Sequence, residues 1–345
     1  MARIVVAGAG ATGASIAYHL ALAGAYDVIL CDRGLIASGS TGKAMGGVRQ
    51  QFSTAPEVRL AQESIRFFAE LGAPLFQQVG YVFIATTEAG LAELEQRSAL
   101  QASLGVPVEQ VDPRDVAGLA TEDVLGAVVC WEDGVADPPA VARELVRRAQ
   151  AGGVEVREGV DARELDGDVL VVACGPWSAE LADLPIRPLC RQLVDTTPVP
   201  GLPEALPMVI ESETGFHFRR VDDGLRLAMT EPTLRWGFEE RVDDDLVADW
   251  LRRLARRYPA AADVGMARAW AGLYDMTPDA HPIIGWVADG VYAACGFSGH
   301  GFMQSPAVGR AAAEEILGRE SPFDLTPFRL ERFAGGAVFP ERVVL

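Results

Sequence analysis

The sequence Gly8-Ala9-Gly10-Ala11-Thr12-Gly13 has the composition and spacing of a turn that binds the phosphates of a dinucleotide. In such a turn the first glycine permits a tight bend, the second lets a pyrophosphate approach the backbone, and the third lets the helix pack closely on the strand. Asp32 lies at the spacing at which an acidic side chain accepts hydrogen bonds from a ribose. Because a carboxylate disfavours a 2′-phosphate, the pattern predicts NAD or FAD over NADP.

A nucleotide-binding turn of this kind lies between a strand and a helix, and the sequence predicts both on either side of the motif. An apolar run at residues 3–7 predicts a buried strand, a helix follows through Ala23 and ends at Gly24, and residues 27–31 predict a second strand. This β-α-β order predicts a parallel sheet. The alternative is a structural glycine turn in another kind of α/β protein, and the combination of strand, helix and Asp32 argues against it.

A second glycine-rich loop, at residues 296–302, follows a predicted strand at 291–295. Ser305 is a good N-cap and Pro306 suits the first position of a helix, so the sequence predicts a helix from Pro306 to Leu317. A helix N-terminus behind a glycine loop stabilises negative charge, such as that on the N1–C2=O edge of a reduced flavin. The alternative is a packing turn that uses glycine for tightness.

Composition limits the classes of function. The chain has 345 residues, enough for two joined domains, and a formal net charge of −18. That charge disfavours nucleic acid and anionic membranes as partners, and no apolar run is expected to insert in a bilayer. The five cysteines are scattered and no side chains have metal-ligand spacing, so we expect reduced thiols, no metal and a cytoplasmic protein. Other helices are predicted at residues 57–71, 88–104, 113–120, 138–151 and 243–258.

The sequence resembles the D-amino-acid-oxidase-type FAD-dependent oxidoreductases, and within them the group of sarcosine oxidase, its β-subunit relatives and the proline dehydrogenase β-subunit. The resemblance extends from the first residues to about residue 317. The stretches that carry it are GAGATGAS with Asp32, SGSTGKAMGGVRQQF at 38–52, VVACGPWSAEL at 171–181, AGLYDMTPDAHPIIG at 271–285 and ACGFSGHGFMQSPAVGRAAAEEI at 294–316.

The resemblance implies an α/β (α+β) fold in which a Rossmann-type FAD-binding domain carries an inserted mixed-sheet substrate domain. The FAD-binding domain would comprise residues 1–80, 137–185 and 281–345, and the substrate domain residues 81–136 and 186–280. The implied reaction transfers a hydride from the substrate carbon next to nitrogen to flavin N5, and the imine is then hydrolysed in water. The implied contacts to FAD are Gly8, Gly10, Ala11, Thr12, Gly13, Asp32, Arg33, Ser40, Gly175, Trp177, Gly299, His300, Gly301, Phe302 and Met303.

Four residues are candidates for the substrate side of the site. Arg49 could clamp a substrate carboxylate bidentately, or it could form a structural ion pair. Tyr274 matches a tyrosine of the family's substrate pocket, although it could be a core residue. His217 could receive or shuttle a proton, or have no role on a partly exposed strand. His300 is expected to be a neighbour of the flavin more than a catalytic base.

Three departures from the family pattern change these expectations. Gly272 stands where monomeric sarcosine oxidases carry the cysteine linked to flavin, so we expect non-covalent FAD. Met303 stands where those enzymes carry a lysine for the substrate carboxylate, which favours the proline dehydrogenase-like members. Lys43 is the only lysine, so the lysine thought to activate oxygen is missing and a dehydrogenase is favoured over an oxidase.

Several alternatives stay open at this stage. The substrate is expected to be a small amine, a secondary amine or a D-amino acid, and the electron acceptor is unknown. Homo- or hetero-oligomers are possible because several relatives work in heteromers. Two different functions would use the same N-terminal motif: an NAD-dependent dehydrogenase, which leaves residues 294–317 unexplained, and a non-catalytic FAD-binding assembly subunit.

Replacing Gly10 with valine adds a side chain where the pyrophosphate must approach the backbone. We expect Gly10→Val to be purified without FAD, as measured by flavin absorbance relative to protein absorbance. Full retention of FAD in this variant would contradict the assignment of the turn.

Overall fold

A computed structural model describes residues 2–335 and 340–343. The helices of these residues are α1 Ala11–Leu22, α2 Ala55–Leu71, α3 Glu88–Ser103, α4 Pro138–Ala151, α5 Asp244–Arg257 and α6 Gly301–Ile316. The strands are β1 Ile4–Ala7, β2 Val28–Asp32, β3 Gly47–Val48, β4 Phe76–Gln77, β5 Tyr81–Ala85, β6 Val108–Val111, β7 Gly126–Cys130, β8 Gly134–Ala136, β9 Glu155–Glu158, β10 Val169–Val172, β11 Arg187–Thr196, β12 Met208–Glu211, β13 His217–Val221, β14 Gly224–Ala228, β15 Arg235–Trp236, β16 Met266–Met276, β17 Ile283–Ala288 and β18 Val291–Cys295.

The first sheet has six strands in the order β17-β18-β10-β1-β2-β9. Strands β1, β2, β9, β10 and β18 run parallel, and only the edge strand β17 is antiparallel to its neighbour. β1 is buried along its whole length, as its apolar sequence predicts for a strand with both faces covered. The parallel sheet expected from the β-α-β opening is therefore confirmed.

The second sheet has nine strands, with the path β15-β11-β14-β13-β12-β5-β7-β6 and β16 paired with β11. Its pairs are antiparallel except for β12 with β5, so the sheet is mixed, as predicted. The long β11 and β16 pair along most of their length and form its largest ladder. A small third sheet has the order β3-β8-β4. The α/β (α+β) fold class is confirmed, and the domain boundaries stay a prediction.

The helix after the glycine motif packs against both α4 and α6. Its contact with α6 is unusually close, because a β-carbon at Gly309 would lie 2.7 Å from the carbonyl carbon of Ser15. Residues of the three helices join β1, β2, β10 and β18 in one buried apolar cluster. Among the described residues, no helix is both long enough and apolar enough to cross a membrane.

The predicted start of the last helix at Pro306 is wrong. α6 begins at Gly301, with His300 as its N-cap, and Pro306 lies inside it. Proline has no N–H to donate to the carbonyl of Phe302 one turn earlier. The hydroxyl of Ser305 donates to that carbonyl oxygen at 2.9 Å, so the helix continues through the proline with the carbonyl satisfied. The N-terminus of α6 therefore lies directly at the glycine-rich loop.

The predicted helix at residues 113–120 is also wrong, since only one 3-10 turn forms, at Pro113–Asp115. Val116 is extended and Gly118 has a φ of +80°, a conformation that favours glycine. The ring of Tyr258 lies 2.8 Å from where a β-carbon of Gly118 would be. Packing against the end of α5 therefore replaces the helix. The other predicted helices agree with α2, α3, α4 and α5 to within two residues.

Replacing Gly309 with alanine forces α1 and α6 apart, because the new methyl group overlaps the backbone of Ser15. We expect the free energy of unfolding of Gly309→Ala to fall by about 2 kcal/mol, as is typical of overpacking. Urea titration followed by circular dichroism measures this loss. Gly265→Ala is the control, because no atom lies within 4 Å of its added β-carbon. Equal stability of the two variants would contradict the close helix contact.

Candidate functional site

A single cavity of about 740 Å³ brings most of the predicted site residues together. The carboxyl ends of β1, β2 and β18 reach it from the first sheet, at the edge where parallel α/β sheets bind ligands. Strands β11, β13 and β16 line it from the second sheet. Of the residues predicted for the site, those that line the cavity are Gly8, Gly10, Ala11, Thr12, Asp32, Arg33, Ser40, Arg49, Gly175, Trp177, His217, Tyr274, Gly299, His300, Gly301, Phe302 and Met303.

Gly13 does not line the cavity, and its role is packing. A β-carbon at Gly13 would overlap the carbonyl oxygen of Gly8, so the helix can approach the strand only without a side chain there. Gly8 has a φ of +100°, and a β-carbon on it would meet the carbonyl of Ala173. The first and third glycines therefore build the turn, and Gly10 lies at the cavity beside the N-terminus of α1.

The carboxylate of Asp32 is held by the backbone beside this turn. Its Oδ2 accepts a hydrogen bond from the N–H of Ala9 at 2.8 Å, and its Oδ1 accepts one from Gly34 at 2.7 Å. Each carboxylate oxygen can accept further hydrogen bonds. Asp32 is thus oriented at the cavity wall with acceptor capacity for the hydroxyl groups of a ribose.

The loop that carries Ser40 covers the N-terminus of α1. The hydroxyl of Thr41, which the sequence analysis did not single out, accepts a hydrogen bond from the N–H of Ala11 at 3.0 Å. The hydroxyl of Ser40 donates to the carbonyl of Leu273 at 2.7 Å and so joins this loop to β16. Both side chains therefore build the wall between the two sheets.

A second helix N-terminus faces the same cavity. Gly299 has a φ of +100°, and the ring of Tyr274 occupies the space that a β-carbon there would need. The first N–H groups of α6, at residues 301–303, have no acceptor within the helix and belong to residues that line the cavity. Two helix N-termini at one cavity favour a ligand with negative charge at two places.

The outer wall of the cavity is formed by side chains from separate loops. Trp177 stacks on Phe238 with ring centroids 5.9 Å apart. Arg33 forms an exposed ion pair with Glu180 at 2.9 Å. Lys43 pairs with Glu240 and packs against Gly272, where a β-carbon would lie 2.9 Å from that of Lys43. The only lysine of the chain is therefore engaged in an ion pair at this wall.

Arg49 is buried at the cavity, but most of its guanidinium is committed to the backbone. One terminal nitrogen donates to the carbonyl of Gln51, and the other donates to the carbonyl of Val343 at 2.6 Å. The guanidinium also lies 4.0 Å from the centre of the Phe52 ring. Only Nε has no hydrogen-bond partner among the described residues. The two terminal nitrogens expected to clamp a carboxylate are thus already used.

His217 is buried in β13 and points an acceptor into the cavity. Its Nδ1 lies 2.7 Å from the carbonyl oxygen of Gly215, so Nδ1 carries the proton and Nε2 the lone pair. Burial, together with the nearby charges of Arg49 and Arg191, lowers the pKa of His217 to about 4. The imidazole is therefore neutral near pH 7 and can accept a hydrogen bond.

His300 belongs to a buried network that the sequence analysis missed. Its Nδ1 lies 3.3 Å from Oε1 of Gln304, whose Nε2 donates to a carboxylate oxygen of Glu57. The other oxygen of Glu57 accepts from Nδ1 of His281 at 2.6 Å. Because Gln304 presents its oxygen to His300, Nδ1 of His300 carries the proton and Nε2 keeps a lone pair. Burial lowers the pKa of His300, so this acceptor is free near neutral pH.

Two further residues at the cavity were missed. Asp275 is buried and accepts a hydrogen bond from the N–H of Gly296 at 2.7 Å, and burial raises its pKa to about 6. Arg191 is buried on β11, and two of its nitrogens have no partner among the described residues. The sequence carried no clear signal for Arg191, because Gln192 and Asp195 lie on the same strand and the strand is not apolar.

The residues present fit FAD. The cavity is continuous from the glycine turn at Gly8 to the glycine loop at Gly299, so both ends of an extended dinucleotide can be reached. A helix N-terminus lies at each of these places, and the carboxylate of Asp32 lines the cavity beside the first of them. The buried Nε2 of His300 has no partner among the described residues, as expected of a group that awaits a ligand.

Comparisons with known proteins agree with this geometry. Glycine oxidase of Geobacillus kaustophilus is 26% identical over 376 residues, which cover 96% of this chain and 97% of that protein. The 4-methylaminobutanoate oxidase of Paenarthrobacter nicotinovorans is 26% identical over 379 residues, and this chain spans only 46% of its length. The structure of L-proline dehydrogenase from P. horikoshii superposes with a TM-score of 0.88 at 26% identity, covering 98% of this chain and 99% of that one.

The decisive comparison is with a family model, that of the FAD dependent oxidoreductases, which matches residues 3–315. This match extends over both large sheets and includes every residue predicted for the site. It confirms the predicted family and the predicted cofactor, FAD. The chain therefore belongs to the family of FAD dependent oxidoreductases.

Proposed function

We propose that this protein uses FAD to oxidise the carbon–nitrogen bond of a small amine or amino acid, such as a secondary amine or a D-amino acid. One observation carries the proposal: the cavity that fits FAD continues into a pocket with two buried guanidinium groups and two neutral histidines. The names of the relatives support it, since glycine, L-proline and 4-methylaminobutanoate each contain an amine nitrogen and a carboxylate.

The residues of the first sheet hold the cofactor in this proposal. The N-terminus of α1 binds the pyrophosphate, and Asp32 accepts hydrogen bonds from the ribose. The N-terminus of α6 faces the flavin ring and stabilises negative charge on it. FAD, when bound, supplies the acceptor for the hydride that leaves the carbon next to nitrogen. Since Gly272 offers no thiol, we propose that FAD is held without a covalent bond.

The residues of the second sheet orient the substrate and control its proton. An amine gives up a hydride most readily when its nitrogen is neutral, because the lone pair stabilises the positive charge left on carbon. The lone pairs on Nε2 of His217 and of His300 accept hydrogen bonds from such a nitrogen. The buried charges of Arg49 and Arg191 disfavour an ammonium in the pocket and favour the carboxylate of an amino acid.

The electron acceptor is proposed to be something other than oxygen. The only lysine, Lys43, lines the cavity but is paired with Glu240, so its ammonium group is engaged in an ion pair and not free to activate oxygen. This supports a dehydrogenase over an oxidase. The alternative of an NAD-dependent dehydrogenase gives way to the family match, which extends over residues 294–315 as well.

Anaerobic titration of the FAD-loaded protein tests the proposed function. We expect the flavin absorbance bands to bleach with at least one member of a panel of glycine, sarcosine, L- and D-proline, D-alanine and 4-methylaminobutanoate. Readmission of air should restore the bands slowly if the protein is a dehydrogenase and within seconds if it is an oxidase. Bound FAD that no amine reduces would overturn the proposal and favour a non-catalytic FAD-binding subunit.

The pH dependence of flavin reduction tests the role of His217. Because its pKa is about 4, His217 stays deprotonated between about pH 5 and 8 and titrates outside that range. We therefore expect His217→Asn to slow flavin reduction by about 10–100-fold at every pH in this range without moving the midpoint of the pH profile.

The matched control is His19→Asn, which removes a buried histidine whose pKa is also about 4 but which lies outside the cavity. This variant should reduce its flavin at the rate of the unmodified protein. A wild-type midpoint between about pH 6 and 7 that disappears in His217→Asn would mean that His217 titrates near its ordinary pKa. That result would contradict the role of a permanently neutral acceptor.

A further inference from the structure

Arg191 lies near the middle of β11, opposite Gly272 of β16. Its side chain lines the cavity and the residue is only 9% exposed. Two of its nitrogens, Nε and Nη1, are buried without a hydrogen-bond partner among residues 2–335 and 340–343. Its guanidinium lies 5.9 Å from the centre of the Tyr274 ring. Among the described residues, this charge therefore has an aromatic ring beside it but no hydrogen-bond partner for these two nitrogens.

Two other arginines with buried side chains have the carboxylate partners that Arg191 lacks. Arg257 pairs with Glu211 at 2.7 Å and with Asp123 at 2.8 Å. Arg332 pairs with Asp279 at 2.8 Å. Within the described part of the chain, no carboxylate lies within 4.0 Å of Arg191. An unpaired charge in a protein interior destabilises the fold, so its retention at a cavity calls for an anionic ligand.

Two acidic side chains at β11 are already used by other partners. Glu231 accepts hydrogen bonds from Arg235 at 2.8 Å and from the N–H of Gln192 at 3.2 Å. Asp195, further along β11, pairs with Arg226 at 2.8 Å. Both carboxylates therefore have cationic partners of their own, and neither compensates the charge of Arg191.

Arg49 differs from Arg191 in what its guanidinium can still bind. Both of its terminal nitrogens donate to backbone carbonyls, and its flat face covers Phe52. Among the described residues, Arg191 donates no hydrogen bond to a backbone carbonyl, so the donors of its guanidinium stay available for a ligand. A carboxylate matches that fork, since a guanidinium can donate two parallel hydrogen bonds to its two oxygens.

We infer that Arg191 binds the carboxylate of the substrate, and that the substrate of this site is therefore a small amino acid or N-alkyl amino acid and not a simple amine. The inference rests on the proposed function. Arg49 then has a structural role and contributes charge but no direct clamp. The assignment also predicts a conflict between stability and function at position 191, because the charge that binds substrate destabilises the empty pocket.

The variant Arg191→Met tests this conflict, because methionine is apolar and of similar length. We expect KM for an amino-acid substrate to rise at least about tenfold, from the loss of charge-assisted hydrogen bonds. FAD content should stay unchanged and the melting temperature of the substrate-free protein should rise. The control Arg257→Met removes an arginine that has ion-pair partners, so its melting temperature should fall. Arg191→Lys should recover part of the affinity.

Binding of acetate separates this inference from the proposed function, because it requires no turnover. We expect acetate, but not the neutral acetamide, to raise the melting temperature and perturb the flavin spectrum of the unmodified protein, and to do neither in Arg191→Met. Equal acetate binding by both proteins, or a lower melting temperature in Arg191→Met, would make Arg191 a structural cation and overturn the inference. If no amine reduces the flavin, the proposed function fails, and the acetate result still decides whether Arg191 binds carboxylate.

Discussion

The close approach of α1 to β1 is the constraint on which the rest of the site depends. The helix can reach the strand only because Gly13 has no β-carbon to strike the carbonyl of Gly8. This contact aims the N-terminus of α1 at the cavity, and the contact between Gly309 and Ser15 then fixes α6 beside it. Both helix N-termini therefore reach one cavity because Gly13 and Gly309 have no side chain at the two contacts.

Features that depend on neighbours in sequence were predicted well. The glycine turn, the parallel opening of the first sheet and the position of Asp32 follow from local spacing, and the structure has all of them. The start of α6 was missed although the Ser-Pro signal is local, because the hydroxyl of Ser305 compensates the hydrogen bond that Pro306 cannot make. Local rules fail where a side chain repairs the defect that they penalise.

Features that depend on distant residues could not be predicted from one sequence. Nothing in the segment around Glu57 indicates that its carboxylate meets Gln304 and His281, more than two hundred residues later. Likewise, nothing in the segment around Arg49 indicates that its guanidinium donates a hydrogen bond to the carbonyl of Val343, near the other end of the chain. The chain as a whole is strongly acidic, yet its cavity holds two buried guanidinium groups without carboxylate partners among the described residues. Overall composition therefore says little about the charge inside a site.

The network of Glu57 also has an evolutionary consequence. Its carboxylate joins α2 to α6 through Gln304 and to the turn before β17 through His281, and all three side chains are buried. A change at any one position leaves at least one buried polar group of the network without its partner. We therefore expect substitutions at positions 57, 281 and 304 to be tolerated together far more readily than one at a time.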